Sequence, residues 1–341
     1  MPPPAPVADI ATGYSNDLEL LTSYAAGQVD AASGALGNPD RWLASVTDAA
    51  PVLLDLQRAA VEQADPYLDE VLIAQGADPA ADAKIAASTF VDQTDGGGSW
   101  LRNLVYAPTS AYQDAIGAGA GSSLATARGR YVAAAVVTAG MRDMARSAVS
   151  TGMFTRNSAK SYVRALRGVS CARCAILAGR HYRRSAFKRH PQCDCYMIPS
   201  AEDAPNSWTT DPMAYFRRLG PAGQDAVFGG AAEAIRAGAN IYQSVNAYSG
   251  VTVVESFGRQ VGATTSGTSV RGWYGGYEVQ ADGTLRKRPK GQLERRPSGD
   301  RTLRFAKSPR LLPDEIMAQA EVEGWTREET LRQLARFGYI V

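Results

Sequence analysis

Residues 122–150 read SSLATARGRYVAAAVVTAGMRDMARSAVS, the longest uninterrupted helix-forming stretch of the chain. An alanine-rich face allows close approach, so this stretch is expected to pack tightly against a neighbouring helix. Upstream of it, residues 15 to about 150 are rich in Ala, Leu and Asp with few β-branched runs, and they read as further helices. Asn38–Pro39 has the form of an N-cap followed by proline at the first helical position. Pro51 and Pro66 are expected to kink or divide the helix that follows, because each removes a backbone donor and crowds the preceding turn. Asp78–Pro79 is expected to start another helix, and Gly96–Gly98 and Gly117–Gly121 to mark breaks.

Downstream, a helix is expected over Arg156–Arg167, then a cysteine-rich segment at 171–195, then helices at 211–220 and 222–246. From Val251 the texture changes to VTVVESF, a Gly/Thr/Ser-rich stretch and YEV, which reads as short strands or an extended arm. Residues 286–310 carry ten Lys/Arg and two acids among Pro and Gly, the composition of a basic linker. The chain then returns to helix: Thr326 and Glu329 form a capping box, Leu331, Leu334 and Phe337 share a face, and Gly338 stops the helix. No internal repeat occurs. The expected fold is mainly α with a small β content. It comprises an elongated helical N-terminal part (1–150), a basic core with the cysteine cluster (151–250), a strand and loop arm (251–310) and a C-terminal helix pair (311–341). So short a helix pair is expected to dock on another surface, and the long arm favours an external partner.

The 341 residues are 45% apolar and 21% charged, enough for a packed core. The net charge of +2 conceals an uneven layout. Residues 1–150 have 8 Lys/Arg against 17 Asp/Glu, residues 151–310 have 25 against 11, and residues 311–341 have 3 against 6. The basic middle implies a polyanionic or acidic partner. The opening MPPPAPVADIATG has no basic start and no apolar run, so it does not read as a secretory signal. The most apolar run, Tyr131–Met141, is eleven residues long, against about 20 for a bilayer span. A soluble protein is expected.

All four cysteines and both histidines lie in VSCARCAILAGRHYRRSAFKRHPQCDCYMIP, residues 169–199. Cys171 and Cys174 form a C-x2-C pair; Cys193 and Cys195 form a C-x-C pair, with His190 three residues before Cys193. Zinc takes four N or S ligands in a tetrahedron, and two close pairs separated by 15–20 residues are how a small hairpin supplies them. Five donors compete for four positions: Cys171, Cys174 and Cys193 lead, with His190 or Cys195 as the fourth. Paired disulfides and plain thiols are the alternatives. His181, among Arg180, Arg183 and Arg184, reads as a surface residue. Catalytic zinc finds no support, because neither histidine has the Glu two residues on that a deaminase needs.

C-x2-C followed by H-P-x-C-x-C resembles the signature of the Mu F-like minor head (head morphogenesis) proteins of tailed phages. It is carried here by Cys171, Cys174, His190, Pro191, Cys193 and Cys195. The ending R-x-G-Y-I (Arg336, Gly338, Tyr339, Ile340) resembles versions from phages of actinobacteria. The resemblance implies a late, low-copy structural protein of the virion, in the capsid interior or at the portal vertex. Such a protein is made in the host cytoplasm and has no membrane role during assembly. Its partners would be the portal or major capsid protein, and packaged DNA without sequence preference.

Between Arg156 and Arg189 there are ten Lys/Arg and no acid. Arg156, Lys160, Arg164 and Arg167 recur at helical spacing and, with Arg183, Arg184, Lys188 and Arg189, are candidates for DNA or an acidic protein surface. A solvated basic face is the plain alternative. Glu321-x-Glu323 lacks the strand and arginine context of an ADP-ribosyltransferase. No phosphate-binding loop occurs, and both histidines belong to the basic segment, which leaves no Ser-His-Asp triad. The expected function is structural and non-enzymatic: head assembly and genome packaging or delivery near the portal. The alternative is a zinc-dependent, non-specific nucleic-acid-binding protein.

Overall fold

The computed structural model describes residues 3–94, 97–168, 170–183, 193, 195–203, 208, 210–249, 251–256, 259–264, 277–279, 285–287, 293–298, 301–306 and 310–340. It is mainly helical with small antiparallel sheets, as expected. Two compact units form: Met1–Ser170 with Leu177–Thr210, and Asp211–Val341 with Cys171–Ile176. The first unit extends past residue 150 because the long helix runs on to Phe154 and the strands after it pack on the N-terminal helices.

The first unit contains α1 (Ala5–Ala31), α2 (Pro39–Glu62), α3 (Ala64–Ala74), α4 (Trp100–Gly117) and α5 (Ser122–Phe154). The Asn38 side chain accepts a hydrogen bond from Arg41 N at 3.1 Å and Pro39 opens α2, as the sequence indicates. Pro51 lies inside α2 without ending it. The division comes at Gln63, and Pro66 sits in the first turn of α3, where a missing N–H leaves no helical bond unmade. No helix starts at Pro79: residues 77–86 are non-helical, and Asp78 Oδ1 accepts from Ala80 N at 2.9 Å in a side-chain turn that competes with helix.

The core joins Leu18, Trp42, Leu53, Trp100, Leu104, Val137 and Met141. Small residues on α5 admit large neighbours. Trp100 lies flat over Gly140, where any Cβ would collide with the indole, whose Nε1 donates to Val136 O at 3.0 Å. Gly140→Ala is expected to cost about 2 kcal/mol, because overpacking outweighs the gain in helix propensity. Urea denaturation measures this, and an unchanged midpoint would show that the indole relocates freely.

After α5 the expected helix over Arg156–Arg167 is instead β1 (Ser161–Ala165). With β2 (His181–Tyr182) and β3 (Tyr196–Ser200) it forms a sheet of order β2-β1-β3, all antiparallel. The four-residue spacing of the cations imitates a helix, but Tyr162 and Val163 fit a pleated, two-sided buried strand. The sheet is tied to α3 by Tyr67 Oη donating to Met197 O at 2.6 Å and by Gln75 Nε2 donating to Pro199 O at 3.0 Å.

The second unit has α6 (Ala172–Leu177), α7 (Pro212–Arg218), α8 (Gly220–Phe228), α9 (Ala231–Arg236) and α10 (Ile241–Ala247). The expected two helices between 211 and 246 are thus four short ones, interrupted at Gly220, Gly229 and Gly238, which all have positive φ. Strands β4 (Val251–Ser256) and β5 (Arg259–Thr264) follow, then β6 (Tyr277–Val279), β7 (Leu285–Lys287), β8 (Leu293–Ser298), β9 (Arg301–Ala306) and β10 (Arg310–Leu311). The stretch expected as a linker is largely strand: β8 pairs with β9 antiparallel, and β10 joins β5. The chain ends in α11 (Pro313–Glu323) and α12 (Arg327–Arg336), and the Thr326–Glu329 capping box is present.

The C-terminal helix pair docks on this unit's own elements. Leu311, Leu312, Ile316, Leu334, Phe337 and Tyr339 share one core with Ala234, Ala239, Ala247 and Val261. The external partner expected for the tail is thus replaced by the helices and β5 of residues 231–264, because the apolar end of the chain is buried at home. Among the described residues no helix is long and apolar enough to cross a membrane.

Candidate metal centre

Cys193 and Cys195 immediately precede β3, whose pairing with β1 sets Arg164 opposite Met197 and Ala165 opposite Tyr196. Arg164 is 1% exposed, and its Nη2 donates to Cys193 Sγ at 3.4 Å. From α5, Arg146 donates from Nη1 to Cys195 O at 2.9 Å and from Nη2 to Asp143 Oδ1 at 2.6 Å. Both members of that ion pair are buried. Burial lowers the pKa of Arg146, and the neighbouring Cys195 and Cys193 sulfurs raise it back in part.

The Cys193 and Cys195 sulfurs are 2.7 Å apart. Cys174, on α6, is also buried, and the ligand atoms of Cys174, Cys193 and Cys195 all lie within 4.8 Å of one another. No disulfide links cysteines among the described residues. Cys171 stands outside this trio; its sulfur accepts from Cys174 N at 3.4 Å in the first turn of α6. The buried Cys174/Cys193/Cys195 cluster could hold a metal ion.

No known family, curated protein or solved structure matches this chain. The donor set itself therefore has to decide which ion fits. Three soft sulfurs in a buried pocket suit zinc or another thiophilic ion and not magnesium or calcium, which want oxygen. Zinc–sulfur bonds of about 2.3 Å place sulfurs about 3.8 Å apart on a tetrahedron. The trio lies within that scale, and the Cys193–Cys195 pair needs to open by roughly 1 Å to share an ion.

Of the five candidate donors read from the sequence, the structure brings together Cys174, Cys193 and Cys195. His190 lies outside the described residues, as do Arg184, Lys188 and Arg189. His181 is exposed on β2, opposite Val163.

The basic helix face does not exist. Arg156 is 2% exposed and bridges Asp65 at 2.9 Å and Asp69 at 2.7 Å. Arg164 is buried against the Cys193 sulfur, and Arg167 pairs with Glu19 at 3.4 Å. Lys160 and Arg183 are exposed. Arg156→Met is expected to lower stability by about 3 kcal/mol, the low end for breaking a buried pair, since Asp69 is half exposed and screened by water. Denaturant titration checks it, and a loss below about 1 kcal/mol would mean that water replaces the guanidinium.

Sequence reasoning missed Arg146 and Asp143. Their signal was available: an ion pair at i,i+3 inside the alanine-rich helix, where a charge without a partner is costly.

Proposed function

We propose that this protein is a non-enzymatic minor head protein of a tailed phage, acting at or near the portal in head assembly and genome packaging or delivery. In this reading the thiol cluster is a structural zinc centre. The observation that carries it is the coincidence of motif and geometry. The C-x2-C and H-P-x-C-x-C elements resemble the Mu F-like signature, and their Cys174, Cys193 and Cys195 thiols meet in a buried pocket. Cys174, Cys193 and Cys195 would hold the ion. Bound zinc supplies cross-linking of distant segments and no redox chemistry. The chain's own contribution is positional: β1 and β3 present the C-x-C pair, and Arg146 and Arg164 hold it in place.

The alternative of a non-specific nucleic-acid-binding protein loses support, because Arg156 and Arg164 are buried and Arg167 is ion-paired. The test is quantitative mass spectrometry of purified particles of a phage carrying this gene. A few copies per particle, against the abundant major capsid protein, are expected. Absence from particles overturns the reading.

A further inference from the structure

We infer that Arg164 and Arg146 are positioning residues of the metal centre, with different roles: Arg164 tunes the Cys193 sulfur directly, while Arg146 holds the Cys195 backbone. This rests on the zinc reading above. Guanidinium groups are rarely buried, because leaving water is costly unless their donors are used. Here two of them are buried, and both aim donors at the C-x-C segment.

The Arg164 contact is to a sulfur, 3.4 Å from Nη2. An N–H donor on a ligating sulfur stabilises its lone pairs and fixes the direction in which they point. The backbone of Arg164 is fixed on both sides. Its N–H donates to Arg180 O at 3.1 Å, its carbonyl accepts from Gly179 N at 2.8 Å, and the strand pairs with β3. The guanidinium is thus delivered by a rigid element, as outer partners of metal ligands need to be.

The Arg146 contact is to a carbonyl, 2.9 Å from Nη1, with Asp143 fixing the other end of the guanidinium. Its effect on the metal is geometric. It sets where the Cys195 backbone turns, and so whether both sulfurs face the same side.

Cobalt(II) distinguishes the two roles, because sulfur-to-cobalt charge-transfer absorption reports the energy of the sulfur lone pairs. Arg164→Met should lower zinc affinity ten- to a hundredfold, measured by competition with a chromophoric chelator. It should also move the cobalt charge-transfer band to longer wavelength, since the lone pair is no longer stabilised. Arg146→Met should lower affinity by a similar factor with a much smaller band shift. A general loss of packing would not separate the two variants in this way.

If either methionine variant fails to fold by circular dichroism, Arg164→Lys and Arg146→Lys replace them. A band shift in Arg164→Lys but not in Arg146→Lys then supports the assignment, and no shift in either overturns it. Folded variants with wild-type affinity and an unmoved band also overturn it, leaving the zinc centre intact. A wild-type protein that takes up neither zinc nor cobalt overturns the zinc reading itself.

Discussion

Cys193→Ser and Cys174→Ser are each expected to reduce the zinc content of freshly prepared, reduced protein from about one ion per chain to nearly none. Serine keeps the shape of cysteine but offers a poor ligand. A site with three protein thiols cannot lose one and still bind at trace metal concentrations. Cys171→Ser is expected to retain more of the zinc than Cys174→Ser, because Cys171 is not one of the three cysteines whose ligand atoms all lie within 4.8 Å of one another. Elemental analysis of the purified variants decides this. Absence of zinc from the reduced wild-type protein would falsify the metal reading and leave plain thiols. Equal losses in the Cys171 and Cys174 variants would instead restore Cys171 to the ligand set.

Removing the ion should also have a local consequence. Metal binding and folding of the surrounding segment are coupled, so chelation should loosen residues 171–195. The α1–α5 bundle has its own core around Trp42, Trp100 and Met141 and should persist. Hydrogen exchange resolves the two, with faster exchange in β1 and β3 and protection retained in α5.

Much of the helical architecture is legible in the residues because its signals are local. Asn38–Pro39 and Thr326–Glu329 are caps whose partners lie three residues away, and both form as written. The strand at 161–165 is not legible in this way. Its sequence holds a cation every fourth residue from 156 to 164 (Arg156, Lys160, Arg164), and only pairing with residues 196–200 shows which periodicity is real. The same long-range dependence hides the metal site's membership. Spacing marks the cysteines as a cluster, but it does not say which of the sulfurs come within reach of one ion. The roles of Arg146, Arg156 and Arg164 are equally invisible to charge counting. A cation that neutralises a buried partner and one that attracts DNA contribute the same unit to net charge.

The C-terminal residues supply the second large effect. Tyr339 is fully buried, its hydroxyl donates to Leu311 O at 2.7 Å, and the Arg310 guanidinium lies 4.5 Å from its ring centroid. Arg310 is buried too, and burial lowers its pKa. The tyrosine ring therefore fills volume, caps a carbonyl of β10 and provides a face for a buried cation. Tyr339→Ala removes all three and is expected to destabilise the second unit by about 3–5 kcal/mol. Tyr339→Phe keeps the ring and loses only the hydrogen bond, for about 1 kcal/mol. Deleting residues 311–341 strips Leu311, Ile316, Leu334 and Phe337 from the same core and should leave residues 211–264 aggregation-prone. The first unit is expected to keep its helical signal in each case, since its core draws on none of these residues. Urea denaturation of the point variants and light scattering of the truncated protein measure the outcomes. A truncated protein that stays monomeric with an unchanged second transition would mean that the tail is dispensable to its own core, and would return it to the role of a hook for an external partner.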